Sequence, residues 1–286
     1  MTITSGEARR PSDIELDRRA FRRRQTGKSV AIGMLSTVAF AAVAWLTIIN
    51  TPGWSRVQES FFDPETWVGA WPRVFEGFLL NLRVLVFAAL GVAILGTIIA
   101  FLRTLRGPVW FPLRFVAAAY TDIFRGLPLI IVLYLVGFGI PGLVQQRIPS
   151  EVLGTIALIL TYSAYVSEVI RAGIEAVHPA QRLAARALGL RHGQTLRYVV
   201  LPQAVRKVAP PLMNDFVAMQ KDVGLISVLG AVDAVRAAQI ETAKWADFTP
   251  YVLAGVLFVA LAWPTIRLTD WVSARIQRRE QLGGLV

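Results

Sequence analysis

The sequence has 286 residues, of which 55% are hydrophobic, and its mean hydropathy of +0.52 excludes a soluble globular domain. It contains no cysteine and only two histidines, His178 and His192, which excludes disulfides, zinc fingers and iron–sulfur sites and argues against a histidine metal site. The net charge of +11 does not indicate nucleic-acid binding, because Lys and Arg fall in alternate loops, as the positive-inside rule describes for membrane proteins.

The N-terminal residues 1–29 are polar and basic, and we predict that they form a cytoplasmic tail. Paired arginines in this stretch fit a twin-arginine export signal, but the apolar segment that follows is long enough to span a membrane, which favours an uncleaved first helix. Residues 25–29 end like a phosphate-binding loop, yet the glycine required five positions before Gly27 is Arg22, and no strand is predicted before it. The sequence therefore predicts no ATP site in this chain.

Six apolar segments are predicted to cross the membrane, because each reaches the length of about 20 residues that a spanning helix needs. They are residues 30–50, 75–102, 115–140, 152–174, 204–229 and 249–272. The loop after the first segment is rich in acidic residues and tryptophan, whereas Arg and Lys are concentrated after the second, fourth and sixth. The predicted fold class is an all-α polytopic membrane protein with six transmembrane helices and both termini in the cytoplasm.

Residues 137–142 match the pattern G-x-G-x-x-G, which is found in dinucleotide-binding folds. Such a site needs a strand before the glycines, a helix that opens within them and an acidic residue about 20 positions later. Here the glycines end an apolar span, and Pro141 interrupts the motif. We predict a helix end and an outer loop instead.

The segment between the fourth and fifth spans, residues 175–207, is basic and has its own helix signals. Pro179 suits the first turn of a helix, Gly189 lies where a left-handed helix end is expected, and Pro202 is predicted to close a second short helix. The pattern predicts a compact helical hairpin that offers a docking surface at one side of the membrane. The alternative is an amphipathic basic segment that lies on anionic headgroups without a protein partner.

The spacing of five residues in this hairpin resembles the EAA loop of ABC importer permeases. These residues are Ala184, Ala185, Gly189, Leu201 and Pro202. In that family the loop forms a short coupling helix that sits in a cleft of the ATPase subunit and passes its closure to the membrane helices. The resemblance implies the same role here, although Leu183 replaces the acidic residue that begins the motif.

Four further segments resemble the permeases for polar amino acids within that importer family. They read FRGLPL at residues 124–129, YVSEVIR at 165–171, LMNDF at 212–216 and KDVGL at 221–225. The resemblance implies a five-helix permease core over residues 75–272, which includes the coupling loop 175–207. The helix at 30–50 is then an extra N-terminal span, and residues 273–286 form a cytoplasmic tail.

Polar and ionisable groups inside a span are costly, so they usually face protein or water and mark a transport pathway. The substrate-pathway candidates are Arg125, Tyr165, Glu168, Asn214, Lys221 and Asp222, with Asn81 as a neutral neighbour. Helix breaks at Pro128 and at Pro210-Pro211 would free backbone groups to bind a ligand. Structural roles stay open: Arg125 at the headgroups, and Glu168 paired with Arg171 or with Lys221.

Together these patterns predict the permease subunit of an ATP-driven ABC importer for a polar amino acid such as glutamate or glutamine. The expected partners are an ABC ATPase dimer, an external substrate-binding protein and a second permease chain, in a bacterial inner membrane. ATP and Mg are expected on the ATPase, while this chain is predicted to bind no cofactor or metal and to have no catalytic residue. The alternative is a secondary transporter driven by an ion gradient, but its sequence mark, an inverted repeat, is not found.

Overall fold

The computed structural model describes residues 13–105 and 107–283, and all regular secondary structure in these residues is helical. The helices are α1 (Asp13–Ile49), α2 (Trp54–Phe61), α3 (Pro64–Thr104), α4 (Phe111–Gly126), α5 (Leu129–Val144), α6 (Ser150–Glu175), α7 (Pro179–Ala187), α8 (His192–Thr195), α9 (Leu201–Asp222), α10 (Ala234–Trp245) and α11 (Thr249–Gly283). The all-α fold class is confirmed. The outer parts of the two predicted tails, residues 1–12 and 284–286, lie outside the described residues.

Four helical segments of the described chain are long and apolar enough to cross a membrane by themselves. They are Gln25–Ile49, Trp54–Thr104, Ser150–Glu175 and Thr249–Ile276. Two further helix pairs meet the same test only together: α4 with α5, which are bent by 110°, and the segment His192–Leu229 with α10, which are bent by 55°. The six predicted spans correspond to these segments if each bent pair is counted as one span.

The chain divides into two compact units, Met1–Glu59 and Ser60–Val286. In the first unit, α1 begins inside the stretch predicted as a tail and continues without a break through the first span. Its apolar part has no buried residues within the chain, as is usual for a helix whose neighbours are lipids or other proteins. The whole region that resembles the permease core lies in the second unit.

The core of the second unit is built around α3 and α6. A large apolar cluster joins these two helices to α5 and α9 through Leu85, Leu133, Leu158 and Met219. A second cluster joins α3 to α10 and α11 and includes Val74, Ala237 and Leu253. The long α3 therefore carries both halves of the core.

Asn81 connects three parts of this core. It is fully buried on α3, and its amide nitrogen donates to the carbonyl oxygen of Val223 at 3.1 Å and to Oδ2 of Asp233 at 3.0 Å. Its amide oxygen accepts from the backbone N–H of Ala234 at 3.0 Å. The residue expected beside the substrate pathway is thus a structural link between α3 and the start of α10.

The predicted break at Pro128 separates two helices at a large angle. Leu127 is extended, with φ −92° and ψ 133°, because the ring of the following proline disfavours the helical conformation of the preceding residue. The third predicted span, 115–140, therefore consists of two helices, α4 and α5, that meet at the predicted break. Pro210 and Pro211 behave differently, since α9 continues through both of them and does not break there.

Two loop predictions need correction. The residues between the fifth and sixth predicted spans, 230–248, are expected to form a connecting loop but contain α10, which is capped by Asp233: its carboxylate accepts from the N–H of Arg236 at 2.9 Å. Its apolar residues recur at helical spacing, and Ala234, Ala237 and Ala238 are buried in the second cluster. The glycines of residues 137–142 lie inside α5 rather than in an outer loop.

Helices α6 and α9 pack closely against each other at Gly173. A Cβ added at this position would overlap Cγ1 of Val208. We expect Gly173→Ala to lower the apparent stability by about 1–3 kcal/mol, because a methyl group forced into a packed contact displaces its neighbours. Thermal unfolding of the purified protein in detergent measures the effect.

Gly139→Ala is the matched control, because it is a helical glycine with nothing within 4 Å of the added Cβ. It should leave the melting temperature unchanged or raise it slightly, since alanine favours a helix more than glycine does. Equal melting temperatures for the two variants would show that the α6–α9 contact tolerates a side chain.

Candidate functional site

The hairpin after α6 begins and ends with well-formed caps. His178 is the N-cap of α7, where its Nδ1 accepts from the N–H of Ala180 at 3.2 Å, and Pro179 occupies the first turn. At the other end, Gly189 has φ +80°, its N–H donates to the carbonyl of Arg186, and the N–H of Leu190 donates to that of Ala185. This paired arrangement is a Schellman motif, which turns the chain sharply and satisfies the last carbonyls of the helix.

The second arm of the hairpin differs from the prediction at Pro202. After α8, a π-helical turn at Leu196–Val200 leads directly into α9, which begins at Leu201. Pro202 lies in the first turn of α9, where its missing N–H costs nothing, so it opens this helix instead of closing a short one. The hairpin is therefore continuous with a core helix.

A small apolar core attaches the hairpin to the end of α6. Val177, Val200 and Ala204 are buried together. Two of the basic residues reinforce this attachment: Arg182 donates to the carbonyl of Ile174, and Nζ of Lys207 donates to the carbonyl of Ala176 at 2.8 Å. Both cations therefore tie the hairpin to the end of α6, Arg182 from a half-buried position and Lys207 from an exposed one.

The motif residues divide between the inside and the outside of the hairpin. Ala185 is only 3% exposed, whereas Leu188 is 83% exposed and Leu183 and Ala184 also point outward. We call the patch formed by Leu183, Ala184 and Leu188 the docking face. Exposed leucines beside the exposed Arg186 mark a surface that another protein can cover.

An ionic cluster around Glu168 lies just before the hairpin. Oε2 of Glu168 accepts from Nη1 of Arg103 on α3 at 2.6 Å, and its two oxygens accept from Arg171 on its own helix. Nη1 of Arg125, at the end of α4, is 3.9 Å from the same carboxylate. Glu168 is therefore neutralised by arginines and is not the partner of Lys221. Sequence reasoning missed Arg103, because 65 residues separate it from Glu168.

A polar cavity of about 300 Å³ lies between the α4–α5 break, α6 and α9. Two of the predicted pathway residues line it, Tyr165 and Asp222. Three other lining residues, Thr161, Tyr162 and Asp215, were not predicted as pathway residues. The hydroxyl of Tyr162 donates to Oδ2 of Asp222 at 2.7 Å.

The remaining pathway candidates stand apart from this cavity. Arg125 reaches it only indirectly, since its carbonyl accepts from the hydroxyl of Tyr165 at 3.3 Å. Asn214 and Lys221 are exposed on α9. Helix geometry offered one usable signal for the residues that were missed, because Asp215 precedes Asp222 by seven positions and therefore shares its face of α9.

Comparison with known proteins identifies the family. Residues 93–279 match the family described as "Binding-protein-dependent transport system inner membrane component". The chain belongs to this family. The matched residues include the hairpin, the Glu168 cluster and all the lining residues of the polar cavity.

Individual relatives agree with this assignment. The chain is 34% identical to the arginine transport system permease protein ArtQ of Bacillus subtilis, over 73% of this chain and 92% of ArtQ. It is 34% identical to the putative glutamine transport system permease protein GlnP of Rickettsia conorii, over 73% and 94% of the two chains. A crystal structure of an amino acid ABC transporter with histidines superposes with a TM-score of 0.69 at 32% identity, covering 74% of this chain and 98% of that one.

We expect Glu168→Gln to lower the apparent stability by about 1.5–3 kcal/mol, because the variant loses the charge that compensates the largely buried Arg103. The matched control is Glu175→Gln, since Glu175 is 60% exposed and also pairs with Arg171. The control should change stability by about 0–1 kcal/mol, as is typical of exposed ion pairs. Thermal unfolding of both variants in the same detergent makes the comparison, and equal effects would contradict a central role for Glu168.

Proposed function

We propose that this chain is the membrane permease of an ATP-driven ABC importer that carries polar amino acids delivered by an external binding protein. The family assignment and relatives named for arginine and glutamine transport support this substrate class. The observation that carries the mechanism is the docking hairpin, whose exposed face is attached through α9 to the wall of the polar cavity.

The hairpin provides a mechanical connection between a cytoplasmic partner and the transport pathway. ATP and Mg bind to the partner ATPase, and closure of its dimer pulls on the docking face. Because α9 starts in the hairpin and carries Asp215 and Asp222, displacement of the hairpin moves the cavity wall. Hydrolysis on the partner then resets the importer.

The complete importer contains two permease chains, either two copies of this one or this one and a related chain. The permeases sit in a bacterial inner membrane, with the hairpin and both termini in the cytoplasm. This orientation follows the distribution of Lys and Arg in the loops. This chain binds no cofactor of its own in the proposed cycle.

Cross-linking can locate the ATPase on the docking face. The chain has no cysteine, so Leu188→Cys provides a single, highly exposed thiol for a photoreactive maleimide. We expect illumination of the purified importer to attach the ATPase to this residue. The matched control is Leu143→Cys, which is equally exposed but lies at the end of α5, on the predicted external side.

An adduct with Leu188→Cys alone supports docking at the hairpin. If the labelled importer still transports in the presence of ATP but gives no ATPase adduct, docking at this face is wrong. If uptake proceeds without any ATPase and collapses with the membrane potential, the chain is a secondary transporter instead.

Gly189→Pro tests whether the shape of the hairpin matters for transport. Proline fixes φ near −65° and removes an N–H, whereas Gly189 has φ +80° and donates to Arg186. We expect ATP-driven uptake to be abolished while membrane insertion is normal. Gly193→Ala, an exposed change in the neighbouring α8 with open space around the added Cβ, should transport normally. Normal uptake by Gly189→Pro would contradict the coupling role.

A further inference from the structure

The charged side chains that line the polar cavity are both acidic. Its charged lining residues are Asp215 and Asp222, and no lysine or arginine of the described chain lines it. The nearest arginine in the sequence, Arg125, is not a lining residue: its Nη1 is 3.9 Å from the carboxylate of Glu168, and its guanidinium carbon lies 6.0 Å from the centre of the Tyr165 ring. The charged side chains that line the cavity itself are therefore two carboxylates.

Two polar atoms of lining residues have no hydrogen-bond partner within the part of the chain that the structure describes. Thr161 is only 4% exposed, and its hydroxyl makes no hydrogen bond. Oδ2 of Asp215 is buried and also makes none. Since buried polar groups in native proteins are almost always hydrogen-bonded, these two groups are free to form a hydrogen bond with a ligand.

The cavity also offers a place for a negative group. The 16-residue helix α5 starts here after Pro128, and no side chain caps its N-terminus. The backbone N–H groups of Leu129 and Ile130 precede the first helical bond, which is made by the N–H of Ile131. Such a helix end carries partial positive charge and binds carboxylates well.

The spacing of the two carboxylates suits a ligand with two cations. Asp215 and Asp222 are separated by two turns on one face of α9, which places them about 10 Å apart along the axis. An amino acid with a basic side chain carries its α-ammonium and its side-chain cation at opposite ends of an aliphatic stem. The apolar lining residues of the cavity, among them Leu127, Leu129 and Ala218, provide apolar surface for the stem.

We propose that the permease carries amino acids with a cationic side chain, and that Asp215 is the residue that selects them. The α-carboxylate binds at the N-terminus of α5, the α-ammonium at Asp222 and the side-chain cation at Asp215, with the hydroxyl of Thr161 as a further partner. This inference rests on the proposed importer function. A neutral side chain leaves the buried carboxylate of Asp215 uncompensated, and an acidic one is repelled by it.

The test compares L-arginine with L-citrulline, which has nearly the same shape but an uncharged side chain. Radiolabelled amino acids are bound to the purified permease–ATPase complex in nanodiscs, without the external binding protein, so that only the permease selects. We expect arginine to bind at least about tenfold more tightly than citrulline, as a charge-assisted hydrogen bond allows. Asp215→Asn should weaken arginine binding by about tenfold and leave citrulline binding nearly unchanged.

Asp270→Asn is the matched control, because this exposed aspartate on α11 pairs only locally with Arg267 at 3.2 Å. It should keep the preference of the unmodified protein. Melting temperatures of both variants establish that they are folded, and the ratio of arginine to citrulline affinity is insensitive to a general loss of stability.

Uptake by proteoliposomes that contain the full importer, its binding protein and ATP separates the two levels of the proposal. If glutamine or glutamate is carried and binds the complex better than arginine, or if Asp215→Asn changes arginine and citrulline alike, the cationic assignment is wrong and the importer function stands. If no amino acid is carried, the proposed function itself is wrong.

Discussion

The ionic cluster around the carboxylate of Glu168 is the interaction on which the hairpin end of the permease depends. Charges near the interior of a bilayer are stable only when they are paired, and this one accepts from Arg103 on α3 and from Arg171 on α6. The cluster holds the ends of two core helices together one turn or two before the hairpin begins. The ion pairs of Glu168 therefore fix the end of α6, from which the hairpin starts.

The hairpin that follows this cluster is held to the core by several contacts. The caps of α7, the small apolar core around Val177 and the bonds from Arg182 and Lys207 to the end of α6 leave the hairpin few ways to move by itself. Because Pro202 starts α9 without an intervening loop, a force on the docking face acts on a core helix. A stiff connection of this kind is what transmission of an ATPase movement requires.

The cavity owes its character to one helix break and to one continuous helix on the opposite wall. Pro128 ends α4 and exposes the start of α5 inside the protein, where backbone N–H groups replace a cationic side chain as the binding element for an anion. On the opposite wall, α9 runs unbroken past Pro210 and Pro211 and presents two carboxylates on one face. The combination separates positive and negative potential across a space the size of an amino acid.

Local signals in the sequence predicted the parts of the structure that local physics controls. The apolar lengths, the break at Pro128, the first turn at Pro179 and the left-handed end at Gly189 each depend on residues within a turn or two of one another. The helical form of the hairpin was therefore predicted, whereas the docking role of its motif residues stays a prediction. The role of Pro202 was misjudged because the same proline suits either side of a helix boundary.

What the tertiary structure decided involves residues far apart in the chain. The 110° bend between α4 and α5, the burial of α10 and the pairing of Glu168 with Arg103 all depend on which helices pack together. The cavity residue Thr161 carries no distinctive local pattern, and the helical spacing of Asp215 and Asp222 could not show that α6 packs against their face of α9. The sequence determined which segments are helical and where they turn, because those properties depend on neighbouring residues. The packing of the helices decided which charged side chains lie next to one another, because only packing brings distant residues together.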